Sequence, residues 1–326
     1  MSTLWLDHRD LELRLEPGAL VPYVAGMRQR PAPLSLLERV VIIGNCQLEA
    51  RIITGLAAKG IAVSIVNPRH PQRRARLCGP AHGDATIRMA QLAAALDTAM
   101  KYALAHELVL AKAGRLHRLV KRMKQQRPDA GLPLTHALEQ LQNVLEQLRG
   151  PAADAAFGLE ALRGLEGAAS RAGFSALAAI LPPSLGFAGR KRRPPPDPAN
   201  AVLSLAYTLL HHRAAQTAWA FGLDPLIGFL HEPAHGRESL AADLMEPWRP
   251  EVEEWIWRLF AEQRLRKEHF SIQPEGACLL GKAGRRIFYQ SFERDLAPVF
   301  RALRLQTRLL VRHLRASHAQ GGKKAS

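Results

Sequence analysis

The sequence changes character near residue 85, and this change limits the folds that the chain can adopt. Before it, apolar residues alternate with polar ones or form β-branched runs, at 4–6, 11–15, 40–43 and 61–66. Such runs are typical of strands, and the residues at 48–59 favour one short helix that ends at Gly60. We therefore expect a small β-rich N-terminal domain over residues 1–84.

The sequence pattern of the remainder of the chain predicts helices. Residues 86–126 contain no proline and one glycine, and Ala, Leu, Lys and Arg dominate, which favours long helices. Asp197 followed by Pro198 predicts the start of another helix, because Asp caps and Pro fits the first turn. Further helices are predicted at 134–148, 159–180, 250–268 and 287–314. The expected fold class is α+β, with an all-helical domain over 85–326 and a frayed tail after about residue 317.

The charge of the chain points to a polyanionic partner. Lys and Arg number 45 against 29 Asp and Glu, which gives a formal net charge of +16. Nucleic acids and anionic membranes are the commonest cellular polyanions, although a generically basic protein remains an alternative. Aromatic residues make up 6% of the chain. This low fraction favours contact with the backbone of a duplex over a base-stacking platform for single strands.

The cysteines and the longest apolar stretches exclude several classes of protein. Cys46, Cys78 and Cys278 lie far apart without a CxxC pair, which excludes a disulfide scaffold and a Cys-ligated zinc site. Charged residues interrupt the first fifteen positions, so no signal peptide is expected. The longest uncharged stretch, 176–189, is short and contains two prolines. We therefore expect a soluble cytoplasmic protein with no membrane partner.

Carboxylates and histidines in the helical half are the candidates for chemistry, because P-loop, GxGxxG, GxSxG and HExxH motifs are absent from the sequence. Asp243 and Glu246 are three residues apart on one helical face, within an otherwise apolar run. Two such carboxylates repel each other unless a cation or a proton intervenes, and His231 upstream can supply nitrogen to the same cation. A solvent-facing acidic pair with an ordinary histidine is the alternative.

Glu166 is a further candidate, because small and apolar neighbours let another helix approach it closely. An ordinary exposed helix glutamate is the alternative. His211, His212 and His235 are interpreted as solvated side chains. Clusters of basic residues at 73–76, 121–124, 190–193 and 282–286 favour phosphate contact. The residues predicted to contact DNA are Arg190, Arg192, Arg193, Arg249, Lys282, Arg285 and Arg286.

Several of these segments together resemble one known family. The run RRPPPDPANAVLSLAYTLL at 192–210 and the blocks at 222–231 and 239–250 are similar to signature blocks of the CRISPR-associated integrase of the adaptation step, the first member of the Cas proteins. The segment Glu-Gly-Ala-Ala at 166–169 is similar to its first acidic motif. Arg88, Gln91 and Lys112 fit its linker and first long helices. The matching motifs occur in the family's order from about residue 88 to residue 293.

The resemblance implies a fold, an activity and a site. The family has an N-terminal β domain and an all-helical catalytic domain, and it cuts, joins and releases DNA strands in a metal-dependent reaction. By position, Glu166, His231 and Glu246 would bind Mg²⁺ or Mn²⁺, with Asp243 close by as a further catalytic residue. The expected function is insertion of short DNA segments into a CRISPR array, by attack of a 3′-hydroxyl on a phosphodiester.

The resemblance also implies partners. We expect double-stranded DNA as substrate, a homodimer formed through the N-terminal domain, and a heterohexamer in which two such dimers flank a dimer of a small second Cas protein. This chain has Gly173 where the family usually has a tyrosine. That departure leaves room for an alternative, a basic DNA-clamping subunit of the same fold without catalysis. A repair nuclease for branched DNA is a further alternative.

Overall fold

The computed structural model describes residues 2–66, 74–77 and 82–324. The chain divides into two compact units, Met1–Gly83 and Asp84–Ser326. Strands dominate the first unit and helices the second, which confirms the predicted fold class. Two predicted features, Cys78 and the arginine at position 73, lie outside the described residues.

The first unit consists of short strands and one helix. The strands are β1 (Ser2–Leu6), β2 (Leu11–Glu16), β3 (Ala19–Val24), β4 (Met27–Arg28), β5 (Ala32–Pro33), β6 (Leu37–Ile43), β7 (Cys46–Leu48), β8 (Ala62–Val66) and β9 (Arg74–Leu77), and the helix is α1 (Ala50–Ala58). One sheet has the order β1-β6-β8-β9, and the other has the order β4-β3-β2-β7 with β5 paired to β3.

The sequence pattern of the strands explains their burial. In β2, Leu11 and Leu13 are buried whereas the side chain of Arg14 is exposed, so one face of the sheet meets the core. The continuous β-branched run of β6, which pairs in parallel with β1 and β8, is buried from Val40 to Ile43. Burial on both faces of a parallel strand is what such an unbroken apolar run predicts.

The second unit is built from helices and one hairpin. The helices are α2 (Ala85–Leu96), α3 (Thr98–Gln126), α4 (Gly131–Arg149), α5 (Leu159–Ile180), α6 (Pro198–Ala220), α7 (Ser239–Met245), α8 (Arg249–Ala261), α9 (Lys282–Asp295) and α10 (Ala297–Lys324). The hairpin, which the sequence analysis missed, pairs β10 (Phe270–Ile272) with β11 (Cys278–Leu280). A 3-10 turn over Glu246–Trp248 joins α7 to α8.

Two predicted helical stretches are interrupted by short breaks. The stretch at 86–126 divides because the side chain of Asp97 accepts a hydrogen bond from the backbone N–H of Met100, which caps α3. The stretch at 287–314 divides between α9 and α10. Helix α10 continues to Lys324, beyond the point at which the sequence predicts fraying, and the Arg315 side chain anchors it through an ion pair with Asp84.

Helix α6 is buried around most of its circumference, which corrects one prediction. The side chain of His212 is buried, so its interpretation as a solvated residue was wrong. His211 is half-buried, with its Nδ1 atom 3.6 Å from Oε2 of Glu238, whereas His235 is exposed as predicted. The sequence indicated one apolar face for α6, but helices on several sides cover its polar residues too.

Within the part of the chain that the structure describes, no helix is both long enough and apolar enough to cross a bilayer.

Candidate functional site

Helices α3 and α5 and the 3-10 turn after α7 bring two carboxylates to one buried ammonium group. Lys112 on α3 donates from Nζ to Oε1 of Glu166 on α5 and, over 2.6 Å, to Oε2 of Glu246 in the turn. It also donates to Oγ of Ser170 over 2.8 Å. The side chain of Lys112 is 2% exposed and that of Glu246 is 4% exposed, whereas that of Glu166 is 19% exposed. We call Glu166 and Glu246 the carboxylate pair.

Glu246 is held in its charged form. Burial alone would raise the pKa of this carboxyl, but Arg249, Lys112 and the nearby His231 together lower its pKa to about 2. The guanidinium of Arg249 lies 2.9 Å from the other carboxylate oxygen, Oε1. Glu246 is therefore an anion at neutral pH, even though it is almost completely buried.

Asp243 has different partners from Glu246, although both belong to the same helical segment. It is fully buried, and its carboxylate accepts backbone hydrogen bonds from Phe229, Leu230 and His231 over 2.6, 3.0 and 3.0 Å. Its Oδ1 atom also lies 2.7 Å from Nδ1 of the His231 ring. A carboxylate only accepts hydrogen bonds, so Nδ1 carries a proton, and in the neutral ring the lone pair then lies on Nε2.

The loop that carries His231 approaches α7 closely at Gly228. A Cβ at this position would lie 2.8 Å from the Cβ of Ser239 and 2.7 Å from the backbone oxygen of His231. Only glycine permits this approach. The hydroxyl of Ser239 donates to the carbonyl of Glu232 over 2.8 Å and fastens the far end of the loop. The position of the imidazole is therefore set by the loop backbone as well as by Asp243.

The donor chemistry of this site fits a divalent cation. Two carboxylates already converge on one cation, the ammonium of Lys112, and a histidine with one oriented ring nitrogen lies close enough to lower the pKa of Glu246. Among the described residues, no three His, Cys, Asp or Glu side chains are grouped closely enough to hold a metal ion. The ammonium of Lys112 occupies the point at which the two carboxylates meet.

A second buried layer supports the site. The hydroxyl of Tyr207 donates to Oε1 of Glu253 over 2.5 Å, and burial raises the pKa of Glu253 to about 6. The guanidinium of Arg249 lies 4.5 Å from the centre of the Tyr207 ring. Arg249 thus connects this layer to Glu246 and is fixed from both sides.

Lys112, Tyr207 and Glu253 were not predicted as parts of the site, although Lys112 was among the residues that fit the family's first long helices. A signal for Lys112 was present, because the buried positions of α3 include Ala105, Val109, Lys112 and Leu116. This spacing places a lysine within an apolar stripe, where its charge needs a partner.

The residues predicted to contact DNA divide into two groups. Arg190 donates to Oδ1 of Asn200 over 2.9 Å and to Oγ of Ser204 over 3.0 Å, and burial lowers its pKa to about 10. Together with Arg249, it fastens structural elements. Arg285 is half-buried and donates to the carbonyl of Leu280 over 2.9 Å. The other four are exposed: Arg192, Arg193, Lys282 and Arg286.

Helix α10 presents a basic face that the sequence analysis did not single out. The helix contains no Asp or Glu, and its arginines follow a spacing of three and four residues that places them on one side. All are exposed: Arg301, Arg304, Arg308, Arg312 and Arg315. Buried residues such as Leu303 and Leu314 form the opposite face. We call these five residues the arginine face.

The glycine in place of a tyrosine lies where two helices approach closely. Helix α5 passes α3 at Gly173, which is buried, and a Cβ there would lie 2.7 Å from Cδ2 of Leu116. Leu116 is itself 1% exposed, so it has little room to move. A side chain at this position would therefore require Leu116 to shift.

Comparison with known proteins places the chain in a family. The model of the family described as CRISPR associated protein Cas1 matches residues 4–294. The chain belongs to the Cas1 family. A CRISPR-associated endonuclease Cas1 of Thermodesulfovibrio yellowstonii is 34% identical over 296 residues, which cover 90% of this chain and 91% of the relative. A second, from Rhodospirillum rubrum, is 30% identical over 338 residues, which cover 97% and 95%.

Solved structures share the fold. A CAS1 protein from Thermotoga maritima has a TM-score of 0.80 at 20% identity and covers 96% of this chain and 97% of its own. A casposase bound to an integration product has a TM-score of 0.81 at 20% identity, with 97% and 91% covered. A Cas6-RT-Cas1–Cas2 complex has a TM-score of 0.80 at 22% identity, with 97% and 35% covered.

The sequence-based recognition of the family is confirmed, and with it the class of function: a CRISPR-associated endonuclease, and therefore an enzyme. Membership of this nuclease family implies dependence on a divalent metal ion.

Proposed function

We propose that this Cas1-family enzyme inserts short DNA segments into a CRISPR array through a metal site formed by Glu166, His231 and Glu246. The observation that carries the proposal is the convergence of Glu166 and Glu246 on one buried cation, beside an oriented histidine. Two carboxylates that face one point, one of them buried and the other half-buried, repel each other and need a cation there. A structural ion pair needs one carboxylate, whereas a metal site needs several.

The three side chains offer a suitable donor set. Glu166 and Glu246 would supply carboxylate oxygens, and His231 would supply Nε2 because Nδ1 is engaged by Asp243. A bound Mg²⁺ or Mn²⁺ would stabilise negative charge on the attacked phosphate and on the leaving oxygen. The nitrogen donor makes Mn²⁺ the better chemical match. The nucleophile would be the 3′-hydroxyl of the incoming DNA, so no protein nucleophile is required.

Other residues of the chain would prepare the site. Asp243 holds the His231 ring in one tautomer and one orientation, and we assign it a positioning role rather than direct contact with the metal ion. Arg249 keeps Glu246 ionised. Exposed basic residues, among them Arg192, Lys282 and Arg286, would hold the DNA phosphates.

The assembly is also proposed. Structures of related fold include a complex that contains Cas1 and Cas2 and a casposase with its integration product. We propose DNA and a small Cas2-type protein as partners, a homodimer formed through residues 1–84, and a heterohexamer of two such dimers around one Cas2-type dimer. Residues 85–326 would be the catalytic domain.

Strand transfer tests this function. A labelled short duplex is incubated with a supercoiled plasmid that carries a CRISPR repeat, in the presence of a Cas2-type partner and Mn²⁺, Mg²⁺ or EDTA. We expect joining with metal, none with EDTA, and loss of joining in His231→Ala. The matched control is His235→Ala, at an exposed histidine four residues away, which should join normally.

Two other outcomes point to the alternatives. DNA binding without joining or cleavage in either metal would indicate a non-catalytic clamp and would overturn the metal-site assignment. Cleavage of branched DNA without the partner, combined with no joining in its presence, would indicate a repair nuclease.

The arginine face of α10 gives a second prediction, for DNA binding. A helix without acidic residues that presents exposed arginines on one side complements the phosphates of a duplex, although Arg315 already pairs with Asp84. Changing Arg301, Arg308 and Arg312 to Gln should reduce the magnitude of the negative slope of log K against log[salt] by about 2.7, since each phosphate contact contributes about −0.9.

The measurement is fluorescence anisotropy of a labelled duplex at several salt concentrations. The control changes three exposed arginines that already pair with an acidic neighbour: Arg51, Arg258 and Arg294. If both triple variants change the slope equally, the arginine face is not a DNA contact.

A further inference from the structure

We propose that Lys112 is an internal counter-ion of the carboxylate pair, which holds the pair together without metal and competes with the divalent ion for the same position. The inference rests on the proposed function, because it takes Glu166 and Glu246 as metal ligands. It assigns to Lys112 the regulation of metal occupancy at that site.

The burial of Lys112 requires a specific partner. An ammonium that is 2% exposed has lost its hydration, and such a group is tolerated when hydrogen bonds and opposite charges replace water. All three donor positions of the ammonium are used, by Glu166, Glu246 and Ser170. Its surroundings are therefore built to receive a cation, and the lysine fills them completely.

The carboxylate pair requires a cation, just as the buried ammonium requires anions. Glu166 and Glu246 come from elements that are 80 residues apart in sequence and meet at one nitrogen atom. Without positive charge between them, their mutual repulsion would oppose the packing of α5 against the turn that follows α7. The ammonium therefore stabilises the helical unit when no metal ion is bound.

The ammonium and a divalent ion exclude each other from this point. The ammonium and the metal ion need the same carboxylate oxygens. Two positive charges bound to the same oxygens would lie close together and repel strongly, because little water screens them there. Ser170 offers the ammonium a place to remain, since its hydroxyl accepts from Lys112 and also donates to Glu166 over 2.9 Å. Entry of a metal ion therefore requires Lys112 to give up its carboxylate contacts.

Lys112→Met tests the inference, because methionine keeps an unbranched apolar stem, one atom shorter than the lysine side chain, but lacks its charge. Without metal we expect a lower melting temperature than that of the wild type, since the carboxylate pair loses its counter-ion. We expect Mn²⁺ to bind about tenfold more tightly or better, as removal of one competing charge from a poorly screened site implies, and to raise the melting temperature more than in the wild type.

The measurements are Mn²⁺ titration by calorimetry and thermal unfolding in EDTA or Mn²⁺, in the absence of DNA. Lys112→Gln is a second uncharged variant if the methionine variant does not fold, and it should also bind Mn²⁺ more tightly. Lys112→Arg keeps the charge and should retain the weaker binding. Lys121→Met, at an exposed lysine of the same helix, should match the wild type.

The outcomes separate this inference from the proposed function. If both uncharged variants bind Mn²⁺ as weakly as the wild type or more weakly, Lys112 is not a competitor and the inference is wrong. The metal site itself is misassigned if neither the wild type nor Lys112→Met binds Mn²⁺. It is also misassigned if Glu166→Gln does not abolish the Mn²⁺ binding that they show.

Discussion

Glu166→Gln should reduce strand transfer at least about 10³-fold, because a metal ion contributes several kcal/mol to the stabilisation of the transition state and each 1.4 kcal/mol is a factor of ten. The substitution replaces one carboxylate oxygen with an amide and keeps the shape of the side chain. Lys112 keeps its contact with Glu246 in this variant, so the helical unit should remain folded. DNA affinity should change little, since the basic side chains that contact the DNA phosphates remain in place.

Single-turnover joining of a labelled duplex measures the effect, and fluorescence anisotropy measures DNA affinity in parallel. Glu160→Gln is the matched control, because Glu160 is an exposed glutamate in the first turn of the same helix. The control should join at the wild-type rate. Joining by Glu166→Gln within tenfold of the wild type would remove Glu166 from the set of metal ligands.

Asp243 gives the second large effect, and two variants separate its contributions. Asp243→Ala leaves the buried N–H groups of Phe229, Leu230 and His231 without an acceptor. The loss of buried partners on this scale costs about 3–5 kcal/mol. At about 2–4 °C per kcal/mol for a domain of this size, the melting temperature should fall by about 10 °C.

Asp243→Asn should separate positioning from stability. The amide keeps one acceptor for the loop but presents an N–H₂ group or a single oxygen to Nδ1 of His231, so the preference for one tautomer is lost. Changes in groups that orient a ligand cost about 10–100-fold in metal affinity or activity. We expect a folded protein with Mn²⁺ affinity and joining both reduced by this amount.

Thermal unfolding, Mn²⁺ titration and the joining assay are compared for both variants. Asp154→Asn is the control, because Asp154 also accepts a backbone N–H, from Ala156 over 2.8 Å, but at an exposed turn. It should unfold and join like the wild type. If Asp243→Asn lowers the melting temperature as far as Asp243→Ala and binds Mn²⁺ normally, Asp243 has only a structural role.

Much of the fold was predictable because its signals are local. The β-branched runs of β6 and β8 and the helix-favouring composition after residue 85 each lie within one element. The pair Asp197 and Pro198 marks the start of α6 correctly for the same reason, since the cap forms within four residues and Asp197 accepts from the N–H of Asn200 over 2.8 Å. Contacts at short separation in sequence leave their pattern in the sequence.

The errors come from contacts between elements. Burial of His212 depends on which helices surround α6, and a one-sided apolar pattern on α6 does not report them. The close approach of Gly173 to Leu116 exists only because α5 crosses α3 at that point. The hairpin of β10 and β11 was missed because each strand is three residues long and carries too short a pattern.

The sequence by itself determined the class of fold, the family and the identity of the candidate ligands, because these depend on ordered motifs and on the period of apolar residues along one element. Only the tertiary structure decided which partners each acidic residue contacts. It directs Asp243 to the loop of His231, places Glu246 opposite Glu166, and inserts Lys112 between them. The physical reason is that the function of a charged side chain buried between helices depends on partners far away in the sequence. The spacing of residues along the chain does not encode the distances between such partners.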